Sequence, residues 1–175
     1  MEDLRYPVGD FRFPESVSAR ELATFIEQIA ETPAHMRTAV AGLSDSQLDT
    51  PYRPGGWTVR QLAHHVPDSH INSYTRFRLA LTEDEPVIKP YEEALWAELV
   101  DARTLPIEPS LVLLESLHAR WVPLLRSLSD AEWKRTFRHP ALGLVRLEQN
   151  AALYAWHGRH HVAHITALRK RNGWV

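Results

Sequence analysis

The chain has 175 residues, 44% of them hydrophobic, with 20 Lys+Arg against 22 Asp+Glu, ten histidines and no cysteine. At this length one globular domain over residues 1–175 is expected, and the near-balanced charge excludes a basic field for nucleic acid or an anionic membrane surface. The lack of cysteine excludes disulfides, thiolate metal sites and a cysteine nucleophile, so any metal must take nitrogen or oxygen ligands.

Residues 1–15 carry Pro7, Gly9 and Pro14 among mixed aromatics and read as an irregular arm lying on the surface. The acidic start has no apolar leader, and no run of about 18 apolar residues follows anywhere, so a soluble cytoplasmic protein is expected. Ser18 and Glu21 form a capping box ahead of Leu22, Phe25, Ile26 and Ile29, which starts a helix near Ala19. Pro33 is expected to split this helix in two, with the apolar pattern resuming at Met36, Val40 and Leu43. A Ser, Asp, Pro and Gly-rich loop from Ser44 to Gly56 leads to a second capping box, Thr58 with Gln61, flanked by the staple pair Trp57 and Leu62. The stripe Val59, Leu62, Val66, His70, Ser73 and Phe77 predicts a long helix to Leu81, kinked at Pro67.

From Thr82 to Pro109 the sequence predicts a long crossover holding one small helix over Glu92–Val100. Ser110 then reads as the cap of a third long helix carrying Leu111, Leu114, Leu117, Trp121 and Leu125, and Ser129 with Glu132 as the cap of a short one. Residues 138–147 alternate around Pro140 and Gly143 and allow a small hairpin or an extended loop. The last helix runs from about Leu147 to Arg171 and ends at Asn172-Gly173, after basic residues that suit its negative end. Four long amphipathic segments with little strand signal make an all-α four-helix bundle with short extra helices.

Seven of the ten histidines fall in two helical segments: His64, His65 and His70 in one, His157, His160, His161 and His164 in the other. Residues four apart share a helix face, so His157/His161 and His160/His164 are both candidate pairs for one divalent ion. At about 100° per residue, Leu147, Ala151, Gly158, Val162 and Ile165 mark the core face. His161 then lies about 40° from its centre and His157 about 80°, against roughly 100° for His164 and 140° for His160, so His157 and His161 point inward best. Gly158 beside them leaves room for the close approach of another helix or a ligand. A working site needs a third ligand, which the kinked helix offers as His64, His65 or His70; the wheel favours His70, with angles disturbed by Pro67.

His35, His118 and His139 read as structural or exposed, and the tryptophans as packing. Asp68 either orients a ligand imidazole or sits solvated at the kink. No residue stands out as a general base, so the catalytic residues stay open. Phosphate-loop, serine-hydrolase, HExxH and dinucleotide motifs are absent from the sequence.

Trp57-Thr-Val-Arg-Gln-Leu-Ala-His64-His65, Asp68-Ser-His70-x-Asn72-Ser-Tyr74 and Trp156-His157-x-x-His160-His161-x-x-His164-Ile165, with Gln47-Leu-Asp-Thr-Pro-Tyr-Arg53 and Pro90-Tyr91, resemble the DinB/YfiT superfamily over nearly the whole chain. The resemblance implies a four-helix bundle, a homodimer, and a divalent metal held by His65, His157 and His161. It also implies metal-dependent hydrolases and S-transferases that join bacillithiol or a similar thiol to electrophiles. Three neutral imidazoles leave an open, catalytic position on the ion, and with no cysteine in the chain the sulfur must arrive with a small-molecule thiol. Transfer of that thiol to an electrophile is the expected activity, hydrolysis of an amide or ester the alternative, and a non-catalytic metal-binding stress module the third reading. Zinc is the expected ion, and nickel, manganese or iron also suit the ligand set.

Overall fold

In a computed structural model, which describes residues 4–174, the elements run α1 (Ala19–Val40), α2 (Asp45–Leu48), α3 (Val59–Thr82), α4 (Glu93–Trp96), α5 (Val100–Thr104), α6 (Glu108–Ser127), α7 (Asp130–Trp133), β1 (Thr136–His139), β2 (Gly143–Arg146) and α8 (Leu147–Asn172). The helix starts are written locally. Ser18, Ser44, Thr58 and Ser129 each sit in extended backbone and accept the amide three residues on, while the Glu or Gln there reaches back to the cap amide. Gly173 closes α8 in the left-handed conformation that costs glycine nothing.

Side-chain pairings give the direction of each long helix. Thr32 faces Gly158 and Arg169 reaches the carbonyl of Ala39, so α1 and α8 run parallel. His64 meets Ser110, His70 meets His118 and Phe77 meets Trp121, so α3 and α6 also run parallel. Arg37 pairs with Glu108 and Arg126 with Glu27, which sets α1 against α6. His70 with His157 and Ser73 with Asn150 set α3 against α8. The order around the bundle is α1, α6, α3, α8, with α1 diagonal to α3. A parallel α3–α6 pair requires the chain to travel back along the 24-residue α3, about 36 Å, and that is the work of residues 83–107. This segment docks on the hairpin, where Ile88 and Arg138 exchange a backbone hydrogen bond of 3.0 Å. In the antiparallel β1–β2 pair, buried Phe137 sits opposite buried Val145.

One apolar cluster gathers Ile29, Phe77, Trp121, Phe137 and Leu147, and a second gathers Met36, Val59, Leu62, Leu114 and Ile165. Three expectations change. Helix α1 is unbroken at Pro33, because the Ile29 carbonyl that the proline cannot serve is taken by His118. Helix α6 begins at Glu108 with Pro109 in its first turn, where a missing N–H costs little. Ser110 does not cap it, because its hydroxyl is used by His64 at 2.7 Å. The predicted single helix over Glu92–Val100 is instead α4 and α5, since the Ala97 carbonyl that would continue the turn is taken by Gln61 Nε2 at 2.8 Å.

Helices α1 and α8 pack tightly at Gly158, where an added Cβ would lie 2.7 Å from Thr32 Cγ2. The room left by Gly158 is therefore filled by α1. Gly158→Ala is expected to push the helices apart and cost about 1–3 kcal/mol, read as a lowered thermal midpoint, whereas Gly42→Ala, on open surface but at positive φ, is expected to leave the α1–α8 packing intact.

Candidate metal centre

The antiparallel register of α3 and α8 brings His65, His157 and His161 together. His65 Nε2 lies 3.2 Å from His157 Nε2, the His161 ring is 4.8 Å from that of His65 and 4.5 Å from that of His157, and one nitrogen of each falls within 4.8 Å of the other two. Ligands around a tetrahedral ion at 2.0–2.1 Å stand about 3.3 Å apart, so the His65–His157 spacing suits two nitrogens sharing one ion. Burial pushes His65 down to about 4 and His157 and His161 well below the usual imidazole range. All three are neutral at pH 7, the form a metal needs. The Trp57 ring rests against His65 and His161.

His64 and His70 are committed elsewhere. His64 bonds the Ser110 hydroxyl through Nδ1 and the Leu105 carbonyl through Nε2 at 3.2 Å, which ties α3 to the start of α6. His70 spans His118 and His157 with its two nitrogens, at 2.8 and 3.3 Å. Sequence reasoning missed His118, which is buried and hydrogen-bonded at both ring nitrogens. The signal was present, since His118 stands seven residues from both Leu111 and Leu125 on the apolar stripe of α6. His35 is exposed and His139 half-buried.

His160 and His164 are buried although the wheel turned them outward. The wheel took that side of α8 to be solvent, and the N-terminal arm covers it. Arg5 offers its carbonyl to His164 Nε2 at 3.0 Å, Gly9 accepts from Trp156 Nε1, and the rings of Tyr6 and Phe11 pack on His160 and Trp156. His160, His161 and His164 consequently form a second close group of nitrogens. Asp68 is half-buried, and burial and then Asp101 push its carboxyl up to about 6. Among the described residues no imidazole donates to that carboxylate, so an orienting role for it has no contact behind it.

A cavity of about 230 Å³ reaches His157 and is lined by Ser69, Arg76, Tyr91, Phe137, Asn150 and Tyr154, among others. Ser69 and Tyr154 join hydroxyls at 3.2 Å, and the buried Tyr91 hydroxyl lies beside Ser69. A larger groove of about 920 Å³ shares Arg76 and Tyr91 with this cavity and touches none of the imidazoles. The smaller space is the one that reaches a candidate ligand, His157.

A family model described as the DinB superfamily matches residues 28–165. A Bacillus cereus (strain 03BB102) protein is 55% identical over 174 residues, covering 99% of this chain and all of its own length, and is provisionally named a metal-dependent hydrolase. A Bacillus thuringiensis subsp. konkukian protein with the same provisional name matches to the same extent. Among solved structures, YfiT from Bacillus subtilis superimposes with a TM-score of 0.96 at 50% identity over 99% of both chains. It is described as a four-helix bundle of unusual topology and provisionally as a metal-dependent hydrolase. TT2238, a four-helix bundle protein, shares the fold at a TM-score of 0.59 and 18% identity, covering 83% of this chain.

His65→Ala, His157→Ala and His161→Ala are each expected to lose bound metal with helical content retained, whereas His160→Ala keeps it; elemental analysis with circular dichroism checks this. A second expectation concerns pH. Burial pushes His65, His118 and His164 down to about 4 and His160 to about 3, while unfolded imidazoles titrate near 6.5. Between these values the unfolded chain binds protons that the folded chain does not. Stability of the metal-free protein is therefore expected to fall as pH drops from about 6.5 towards 4, and a midpoint that stays flat over that range would contradict it.

Proposed function

The chain belongs to the DinB superfamily, and we propose that it is a metal-dependent enzyme in which His65, His157 and His161 hold a divalent ion, zinc by ligand type, and that it transfers a low-molecular-weight thiol of the bacillithiol type to an electrophile. The observation that carries this reading is the convergence of three neutral imidazoles, one of which, His157, lines a cavity. Three protein ligands rather than four are the mark of a site that keeps a position for substrate. The ion would supply Lewis acidity there, lowering the pKa of a thiol or water that binds.

The chain's own residues then have distinct tasks. Phe137 and Val145 supply apolar walls that keep bulk water from the reacting atoms. Burial pushes the Tyr91 phenol above its usual range, so it stays protonated at neutral pH, a hydroxyl donor on the cavity wall beside Ser69 that could serve an electrophile's oxygen. Thiol transfer is the first reading because a thiol would lose its proton through coordination alone, whereas hydrolysis asks for a general base, a task that on this wall would fall to the half-buried His139 or the exposed Glu93. With no cysteine in the chain, the sulfur belongs to the co-substrate.

Hydrolysis of an amide or ester is the second reading, favoured by the provisional names of the relatives at 55% identity. A cytoplasmic homodimer is the setting this proposal expects. Metal-loaded protein incubated with bacillithiol or cysteine and a bimane electrophile is expected to form the conjugate, and metal-free protein is expected to remain folded and silent. Tyr91→Phe is expected to slow conjugation about tenfold with metal content unchanged. Turnover of ester or amide substrates without any thiol, and none with thiols, would replace the first reading by the second.

A further inference from the structure

A proline inside a helix leaves the carbonyl four residues earlier without its donor. In α1 that proline is Pro33 and that carbonyl belongs to Ile29, buried in the core. His118 Nδ1 lies 2.8 Å from it. A carbonyl oxygen only accepts, so His118 carries its proton on Nδ1, and in a neutral ring Nε2 is then a bare acceptor. That Nε2 lies 2.8 Å from His70 Nδ1, which must therefore hold a proton and leaves His70 Nε2 bare. His70 Nε2 in turn lies 3.3 Å from His157 Nδ1, so His157 is protonated at Nδ1 as well. Its free lone pair is on Nε2, the atom that stands 3.2 Å from His65 Nε2.

Every link in this chain has one allowed polarity. Reversing any ring would set two protons or two lone pairs against each other, or leave the Ile29 carbonyl orphaned in the interior. The rings have no freedom to escape this by rotation. His70 is fully buried, with Trp121 and Tyr154 edge-on at 5.9 and 5.1 Å, and His118 stacks beside it.

We propose that His70 and His118 are positioning residues that fix which nitrogen His157 presents to the metal, and that the fixed point of the relay is the Ile29 carbonyl released by Pro33. The relay rests on the reading of His157 as a ligand for its purpose and not for its existence. A main-chain atom of α1 thus sets the tautomer of a ligand on α8 through two rings carried by α6 and α3, which makes metal affinity depend on the packing of all four long helices. A hydrogen-bonded partner behind a ligating imidazole is worth 10–100-fold in metal affinity.

Nitrogen NMR of the imidazoles tests this without turnover. In metal-free protein His118, His70 and His157 are all expected as the Nδ1–H tautomer, and an Nε2–H form at any of the three would overturn the relay. His118→Phe keeps a ring of similar bulk with no nitrogen. It is expected to leave His70 and His157 as tautomer mixtures and to weaken zinc 10–100-fold, with His118→Gln, which offers one donor and one acceptor, recovering part of that loss. Unchanged zinc affinity in His118→Phe would refute the positioning role. Should that variant not fold, Pro33→Ala serves, since it restores a competing N–H for Ile29 and leaves all the rings in place. It is expected to lower zinc affinity several-fold without lowering the thermal midpoint, and no change in affinity or tautomer would overturn the part given to Pro33. Wild-type protein that shows the tautomers yet binds no zinc would refute the metal reading and leave the relay standing.

Discussion

A neutral imidazole buried in a helical bundle presents one donor and one acceptor, and each must be answered. This constraint organises the interior of the protein more than any single apolar contact does. His64 is answered by Ser110 and the Leu105 carbonyl, His118 by Ile29 and His70, and His70 by His118 and His157. His65, His157 and His161 are left with nitrogens turned towards one another. In the bare chain His65 can hold its proton on Nε2 towards the bare His157 Nε2 at 3.2 Å, whereas around a cation all three rings would turn lone pairs inward. Neutral rings that hydrogen-bond in one direction only, leading to three imidazoles gathered in one place, give the site its chemistry before any substrate is considered.

The bundle's topology serves the same end. Parallel pairing of α3 with α6 places His64 on Ser110 and His70 on His118, and antiparallel pairing of α3 with α8 places His65 and His70 on His161 and His157. A simple up-down-up-down bundle would run α3 and α6 in opposite directions and separate at least one of these contacts. The cost is a connection over residues 83–107 that returns the length of the molecule, and that connection supplies Tyr91 to the cavity wall. Gly158 lets α1 pack against α8 next to His157, so the helix bearing Pro33 lies directly on the helix bearing two of the ligands.

Much of this was legible in the sequence. The capping boxes at Ser18 and Thr58, the Gly173 stop and the four apolar stripes fixed the long helices, and the box at Ser129 the short α7, because these signals act within a few residues. The inward direction of His157 and His161 followed from helical geometry, and the choice of His65 came from the family resemblance. The failures have a common cause. A wheel treats a helix as a cylinder in solvent, so it could not know that residues 5–14 would cover His160 and His164. Pro33 was read for the bond it removes within its own helix. The carbonyl it releases finds its partner on another helix, 89 residues away in sequence. Ser110 was assigned to its own helix end for the same reason, when its partner is on α3.

Ligand chemistry and function meet at the position left beside the three imidazoles. X-ray absorption at the zinc edge of the loaded protein observes that position directly. The account requires three imidazole nitrogens at about 2.0–2.1 Å with one exchangeable lighter ligand, and added bacillithiol should replace that ligand with a sulfur at about 2.3 Å. A closed shell of four protein ligands that no thiol displaces, or an unchanged spectrum in His65→Ala, would contradict it.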